Sequence, residues 1–253
     1  CGHKVIMTSR GVSNAIKNKR TRNLECYQCD LSDQSSLNYI VNKHQPDYVI
    51  HLAGQSSPSF SWSNPQKTMN DNYNKTANLL LATACIKKDC KFIYVSSSSV
   101  YSDANYSDPI TEEFKTDPSS PYGISKLAAE KLCMLFYRVG NVNTIVVRPF
   151  FITGVGKIGD VCSDWCKQAA EIELGQRDNL QTGVLEGVSR DFMDVTDCVK
   201  ALKLIALNGI SGSVYNIATG SGIVLNDLLS RIIKLTNKKV SVIQDPKLIS
   251  KKS

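Results

Sequence analysis

Tyr48-Val49-Ile50-His51-Leu52 and Phe92-Ile93-Tyr94-Val95 are short apolar runs, and between them Asn72 to Cys85 carries its apolar residues at helical spacing. Short runs bounded by polar residues read as strands buried on both faces. A strand, an amphipathic helix and a second strand in succession read as a crossover between parallel strands. The same unit recurs outward in both directions. Lys4-Val5-Ile6-Met7 and Leu24-Glu25-Cys26-Tyr27 precede it as strands, followed by a helix at Ser35 to Lys43 built on Leu37, Ile40 and Val41. Ser120 to Phe136 and Thr144-Ile145-Val146-Val147 follow it as helix and strand. The repetition predicts an α/β fold whose doubly wound parallel sheet is covered by helices on both faces.

Beyond Phe150 the pattern loosens. Gly154, Gly156, Gly159, Gly175, Gly183 and Gly187 mark turns, before a helix at Val195 to Leu207, a strand at Val214 to Ile217 and a helix at Leu225 to Leu235. The expected division is residues 1–150 as the sheet domain and 151–253 as a smaller α/β lobe, the two sharing a cleft. A nucleotide-binding parallel sheet starts with a strand, a glycine-rich turn and a helix. The sequence instead enters at Gly2-His3-Lys4-Val5-Ile6 and leaves at Lys251-Lys252-Ser253, so both lobes are expected to be incomplete at their outer ends.

The chain has 253 residues, 42% hydrophobic and 21% charged, enough for a real core and unlike a disordered segment or coiled coil. No run approaches the roughly 18–20 apolar residues of a membrane helix, and no secretion signal opens the chain, so a soluble cytoplasmic protein without membrane partners is expected. Nine cysteines spread over such a length read as reduced thiols. The net charge of +7 comes from Arg10, Lys17, Lys19, Arg20, Arg22 and from Lys247, Lys251, Lys252; apart from these the chain is about neutral. No aromatic residues interleave with them, which argues against a nucleic-acid partner.

Ser97, Tyr122 and Lys126 carry the chemistry. In Tyr122-Gly123-Ile124-Ser125-Lys126 the phenol and the ammonium stand four residues apart, on one face of a helix. A phenol with a pKa of about 10 is a poor proton shuttle at neutral pH, and a neighbouring cation lowers it. Lys126 is therefore expected to lower the pKa of Tyr122. Ser97 lies in Val95-Ser96-Ser97-Ser98-Ser99-Val100-Tyr101, at the carboxyl end of a predicted strand, where open α/β sheets bind ligands.

A strand-end serine cluster followed by Tyr-x-x-x-Lys within this α/β pattern resembles the short-chain dehydrogenase/reductase superfamily. The branch it resembles is the extended, nucleotide-sugar one, the NAD-dependent epimerase/dehydratase family. The resemblance implies a dinucleotide-binding Rossmann domain and a substrate lobe. Tyr122 would exchange a proton with the sugar oxygen, Lys126 would also bind the nicotinamide ribose, and Ser97, with Ser98 beside it, would meet the substrate. Asp30 and Leu31 resemble the adenine-contacting pair, and Leu52, Ala53 and Gly54 of His51-Leu52-Ala53-Gly54 the strand-end cofactor loop. Asn72 with Thr76 resembles a helix start at the cofactor, and Pro149 of Arg148-Pro149-Phe150 the segment near the nicotinamide. Arg190 of Arg190-Asp191-Phe192-Met193-Asp194-Val195 resembles the arginine that holds the substrate diphosphate. A homodimer through helices 72–85 and 120–136 is implied as well.

The family's glycine-rich pyrophosphate turn has no counterpart here. Ser9 and Arg10 end the first visible strand. An acid there would bind the ribose hydroxyls of NAD, whereas a base suits the extra phosphate of NADP. NADP(H) is favoured over NAD(H), unless Arg10 simply belongs to the exposed basic stretch. The family's 4,6-dehydratases carry an acid two residues before the tyrosine of Val-Tyr; here that position is Ser99, a poor general acid. Carbonyl reduction or epimerisation remains.

His51 to Gln55, Pro121 to Glu130, Ser189 to Phe192 and Val242 to Pro246 lean toward reduction of the 4-keto group of GDP-4-keto-6-deoxy-D-mannose. The alternatives are a nucleotide-sugar 4-epimerase, a GDP-mannose 4,6-dehydratase and, in another class, a non-catalytic sugar-nucleotide binding module. Phe151 and Gly154-Val155-Gly156 depart from the branch, which has Asn and Gly-Pro-Gly there.

No metal site is expected. Cys26-Tyr27-Gln28-Cys29 has zinc-knuckle spacing without a second pair, and Cys162 with Cys166 lacks a histidine. His51 reads as a strand-end packing or cofactor-loop residue rather than a base. Asn74-Lys75-Thr76 and Asn105-Tyr106-Ser107 match glycosylation acceptors by coincidence.

Overall fold

Side chains alternate across the strands at the centre of the molecule. Phe92, Tyr94 and Val146 enter one apolar cluster, while their neighbours Ile93, Ile145 and Val147 enter another on the opposite face. The computed structural model describes residues 2–11, 23–86, 89–101, 109–183 and 187–245. The basic residues Lys17, Lys19, Arg20, Arg22, Lys247, Lys251 and Lys252 lie outside these, as do Asn105-Tyr106-Ser107 and Pro246.

The strands of the first part are β1 (Val5–Ser9), β2 (Leu24–Gln28), β3 (Tyr48–His51), β4 (Lys91–Val95) and β5 (Asn143–Pro149). Between them run α1 (Gln34–His44), α2 (Pro58–Ser63), α3 (Pro65–Met69), a π-helical turn at Asn70–Asn74, α4 (Lys75–Ala84), a 3-10 turn at Ser98–Val100 and α5 (Pro121–Arg138). After β5 come β6 (Phe151–Thr153), α6 (Val161–Glu173), β7 (Asn179–Thr182), β8 (Ser189–Arg190), β9 (Phe192–Asp194) and α7 (Val195–Asn208). The chain continues through β10 (Val214–Ile217), β11 (Ile223–Val224), α8 (Leu225–Lys234) and β12 (Ser241–Gln244).

Strands β10, β5, β4 and β3 form one parallel sheet in that order, and β1 pairs with β2 in a separate parallel ladder. Leu37, Ile40 and Val41 of α1, Leu79 and Leu80 of α4, and Ala129 and Cys133 of α5 bury their apolar faces in the first cluster. Helix α7 covers the other face through Cys198 and Ala206. The parallel α/β architecture expected from the sequence is present. Strand β10 returns to the edge of β5 after the excursion through α6 to α7, so a division of the chain at residue 150 is not a division of the sheet. Trp165, Ala169 and Ile172 of α6 pack with Leu180, Leu225, Leu229 and Ile232 as a third cluster, joined by the parallel β7–β12 ladder.

The helix starts follow side-chain chemistry. Asp33 caps α1 by accepting from the Ser36 amide, Ser120 caps α5 by accepting from Gly123, and Asp160 closes a capping box on α6 with Ser163. Helix α5 also has Pro121 in its first turn, where the missing N–H costs nothing. One start differs from expectation. The helix predicted to open at Asn72 runs from Pro65, and Asn72 lies within the π turn, where the Lys75 amide reaches back five residues to the Asn70 carbonyl. Among the described residues no helix is long and apolar enough to cross a membrane.

Candidate active site

All strands of the main sheet run parallel, so their carboxyl ends share one edge, and Leu52 to Gly54, Ser97 and Pro149 lie along it. Ser97 follows β4 and caps the 3-10 turn by accepting from the Ser99 amide at 3.1 Å. Helix α5 begins against that turn. A side chain on Gly123 would place its Cβ 2.2 Å from the Ser99 carbonyl oxygen and 2.8 Å from Pro118, so only glycine allows the helix to approach so closely. The approach sets the Tyr122 phenol beside Ser97, whose hydroxyl acts to lower its pKa.

Lys126, one turn further on, donates to the Val95 carbonyl at 2.7 Å and sits 4.9 Å from the centre of the Tyr94 ring. Both Tyr122 and Lys126 are buried. The expectation that Lys126 lowers the pKa of Tyr122 is corrected here. Burial raises the phenol above its ordinary value, the Ser97 hydroxyl pulls the other way, and the ammonium is turned to Val95 and Tyr94 instead. Burial brings Lys126 itself down to about 8. At neutral pH the phenol therefore carries its proton.

The loop after β3, which resembles a cofactor loop in sequence, is open: Leu52, Ala53 and Gly54 are exposed, and Gly54 adopts φ 151°. A Cβ on Gly54 would lie 2.6 Å from Asn72 Oδ1. Asn72 faces inward at this point. Its Oδ1 accepts from the Gln55 amide at 2.7 Å, and its Nδ2 donates to the Gln55 carbonyl at 3.0 Å and to Ser125 Oγ at 2.9 Å. Placed by sequence at the cofactor, Asn72 instead spends its amide clamping the loop to α5, and it is only 1% exposed. Ser125 closes the link by donating to the Tyr122 carbonyl at 2.7 Å.

Asp30, just past β2, accepts from the Ser32 amide at 2.8 Å, which holds its carboxyl below the usual range. It also pairs with Lys75 at 3.4 Å, and Lys75 pairs with Asp71 at 2.9 Å. Leu31 is buried and its carbonyl accepts from Asn78. Arg10 is exposed at the end of β1, its carbonyl accepting from Gln28. Pro149 ends β5 opposite Ile217. Arg190 lies apart on β8, paired with β11; its guanidinium donates to the Ser189 carbonyl, and no bond of it reaches Ser97, Tyr122 or Lys126. Its neighbour Asp191 accepts from the Thr219 amide and hydroxyl and from the Gly220 amide, pinning the loop after β10.

Sequence reasoning missed the polar residues beneath the site. Glu130 is 2% exposed at its side chain and accepts from Arg148 Nε at 3.1 Å, from Arg148 Nη2 and from Ser96 Oγ at 3.2 Å. Arg148, placed near the nicotinamide by resemblance, is thus turned into the protein. Its Nη1 donates to the Tyr101 hydroxyl at 2.8 Å, and Tyr101 donates to Asn216 Oδ1. The available signal was Glu130 itself, a charge eight residues past Tyr122 on the same helix face.

His51 packs between Phe92 and Tyr94 at the end of β3. The Thr76 hydroxyl donates its one proton to the Asn72 carbonyl at 2.6 Å, so it accepts from Nε2–H of His51 at 2.9 Å, which fixes the tautomer. Burial, aided by the Lys126 charge, lowers the His51 pKa to about 3 from 6.5. The unfolded chain binds a proton below pH 6.5 that the folded chain refuses until about pH 3. This contribution to stability is complete above 6.5 and is lost on acidification, at about 1.4 kcal/mol per pH unit. Urea titrations between pH 7 and 4.5 should show the wild type losing stability faster than His51→Gln; parallel losses would refute the assignment.

The chain is similar to known proteins in sequence and in fold. The family model for GDP-mannose 4,6 dehydratase matches residues 4–251. The GDP-6-deoxy-D-mannose reductase of Pseudomonas aeruginosa is 35% identical over 204 residues, 79% of this chain and 67% of the relative. The chain therefore spans about two thirds of that relative's length. The solved structure of RMD from Pseudomonas aeruginosa complexed with NADPH superposes with a TM-score of 0.82 at 31% identity, over 91% of this chain and 79% of that one. A UDP-glucose 4-epimerase from Thermotoga maritima, solved with UDP-glucose, gives 0.83 at 26% identity, over 96% and 78%. By sequence and fold the chain belongs to the GDP-mannose 4,6 dehydratase family, among the NAD-dependent enzymes that epimerise, dehydrate or reduce nucleotide sugars.

Proposed function

We propose that the protein reduces the 4-keto group of a nucleotide-linked sugar, GDP-4-keto-6-deoxy-D-mannose, with NADP(H). The observation that carries this reading is the buried, proton-bearing Tyr122 phenol held against Ser97, with a hydroxyl rather than a carboxylate at Ser99. Reduction of a ketone needs a proton delivered to the developing alkoxide, and the Tyr122 phenol, a stronger acid than the alcohol that forms, can supply it. Dehydration needs a further carboxylic acid, which Ser99 does not supply. The likeness to the Pseudomonas reductase supports the same choice.

The residues present suit a dinucleotide. The loop at Leu52 to Gly54 is exposed, a Cβ on Gly54 is barred by Asn72, Asp30 offers a carboxylate, and Lys126 offers a cation. When bound, the nicotinamide supplies the hydride. Tyr122 would donate the proton, Ser97 would orient and polarise the carbonyl oxygen, and Lys126 would hold the ribose hydroxyls. Arg190, exposed on β8, would meet the substrate diphosphate. Such fixed donors act mainly by orientation and by stabilising the oxyanion. Arg10, exposed at the end of β1, favours the extra phosphate of NADP.

Added NADPH should be oxidised stoichiometrically with GDP-4-keto-6-deoxy-D-mannose, followed by loss of nicotinamide absorbance, and NADH should serve less well. Interconversion of 4-epimers without net consumption would replace this reading with the epimerase. Failure to bind either dinucleotide, measured by calorimetry, would favour a binding module.

A further inference from the structure

We propose that Glu130 is a positioning residue: its carboxylate, locked by Arg148, holds Ser96 and through it sets the Ser97 hydroxyl against the Tyr122 phenol. The proposal deepens the reductase reading and rests on it for its kinetic consequence. Tyr122, Lys126 and Glu130 recur every four residues on one face of α5, about 6 Å apart along its axis. Opposite them, three consecutive residues at the end of β4 are tied one each to that face. The Val95 carbonyl accepts from Lys126 at 2.7 Å, Ser96 Oγ donates to Glu130 at 3.2 Å, and Ser97 meets Tyr122.

Of the three ties, the one through Ser96 alone is anchored beyond α5. Glu130 is gripped at both oxygens by Arg148, which is itself held by the Tyr101 hydroxyl and, at 3.2 Å, by the Glu112 carbonyl. Tyr101 in turn donates to Asn216 on β10 at 2.8 Å, and the Asn216 amide donates to Glu112 Oε1 at 2.7 Å. The Ser96 amide donates to the Val147 carbonyl at 2.7 Å, so strand and side chain are fixed together. Charge-assisted, two-pronged bonds are the stiffest available to a buried side chain. A site that loses such support can stay folded while its reacting groups drift out of range.

If Glu130 were only the counter-charge of Arg148, removing the Ser96 hydroxyl would leave the site untouched. Ser96→Ala keeps the ion pair and cuts the tie. The readout that needs no substrate is the Tyr122 resonance in protein labelled at the hydroxyl-bearing ring carbon of tyrosine, assigned by its disappearance in Tyr122→Phe. Ser97→Ala gives the position of that resonance when the Ser97 contact is lost. Ser96→Ala and Glu130→Gln should move it at least half of the way there, and Ser96→Ala should lower kcat about 10-fold with KM unchanged. A Tyr122 resonance at the wild-type position in folded Ser96→Ala would overturn the proposal. Should Glu130→Gln fail to fold, Ser96→Ala alone decides. Absence of turnover in the wild type would count against the reductase reading and leave the resonance test intact.

Discussion

Tyr122→Phe is expected to lower turnover by about two to four orders of magnitude while leaving the fold and dinucleotide binding in place. The substitution removes one oxygen from a ring that stays buried in the first turn of α5. The lost contact with Ser97 costs about 1 kcal/mol, as for any neutral hydrogen bond. The lost proton is a larger matter. Ser97 can still donate to a carbonyl, but a serine hydroxyl is far too weak an acid to deliver its proton to an alkoxide. Circular dichroism and calorimetric binding of NADPH should match the wild type, and NADPH oxidation should all but vanish. Turnover within a few-fold of the wild type would remove Tyr122 from the mechanism.

The largest effect on stability is expected at Arg148. Arg148→Met keeps most of the side-chain volume but leaves the Glu130 carboxylate, 2% exposed, with Ser96 as its remaining partner. Breaking a buried pair in this way costs about 3–5 kcal/mol, because one charge stays in the interior without its counter-ion. Tyr101 loses a donor as well, though its own bond to Asn216 survives. Adding Glu130→Leu removes the stranded charge and should recover most of the loss, since apolar replacements of whole buried pairs are tolerated. Urea unfolding of both proteins checks this. A double variant no more stable than Arg148→Met alone would show that the cost arises from packing and not from the uncompensated charge.

Much of the central sheet was legible because its strands are bounded apolar runs, as at Phe92 to Val95, and its helices have caps such as Ser120-Pro121. Tyr122 and Lys126 were legible for a similar reason: four-residue spacing is a local property. The direction of the Tyr122 pKa was not, because it depends on burial and on where the lysine chain turns. Glu130 and Arg148 meet across 18 residues, and Asn216 meets Tyr101 across 115, distances over which periodicity carries no information. The two- to three-residue strands β6, β8, β9 and β11 are too short for any pattern to emerge. Asn72 was misplaced at a helix start because a π turn breaks the 3.6-residue phase on which helix reading depends.

That π turn bears on how the gene for this protein can change. A π turn holds one residue more than the α-helical turn it replaces. Five residues of such a turn sweep about the same angle as four of an α-helix, so losing one from Asn70–Asn74 would let the helix close as a plain α-helix with its two sides nearly in phase. Leu79 and Leu80 would stay in the core, but loss of Asn72 itself would remove the amide that joins Gln55 to Ser125. A codon can therefore be lost there without unpacking the helix, provided that the loss spares the one side chain that ties the loop after β3 to the helix bearing Tyr122.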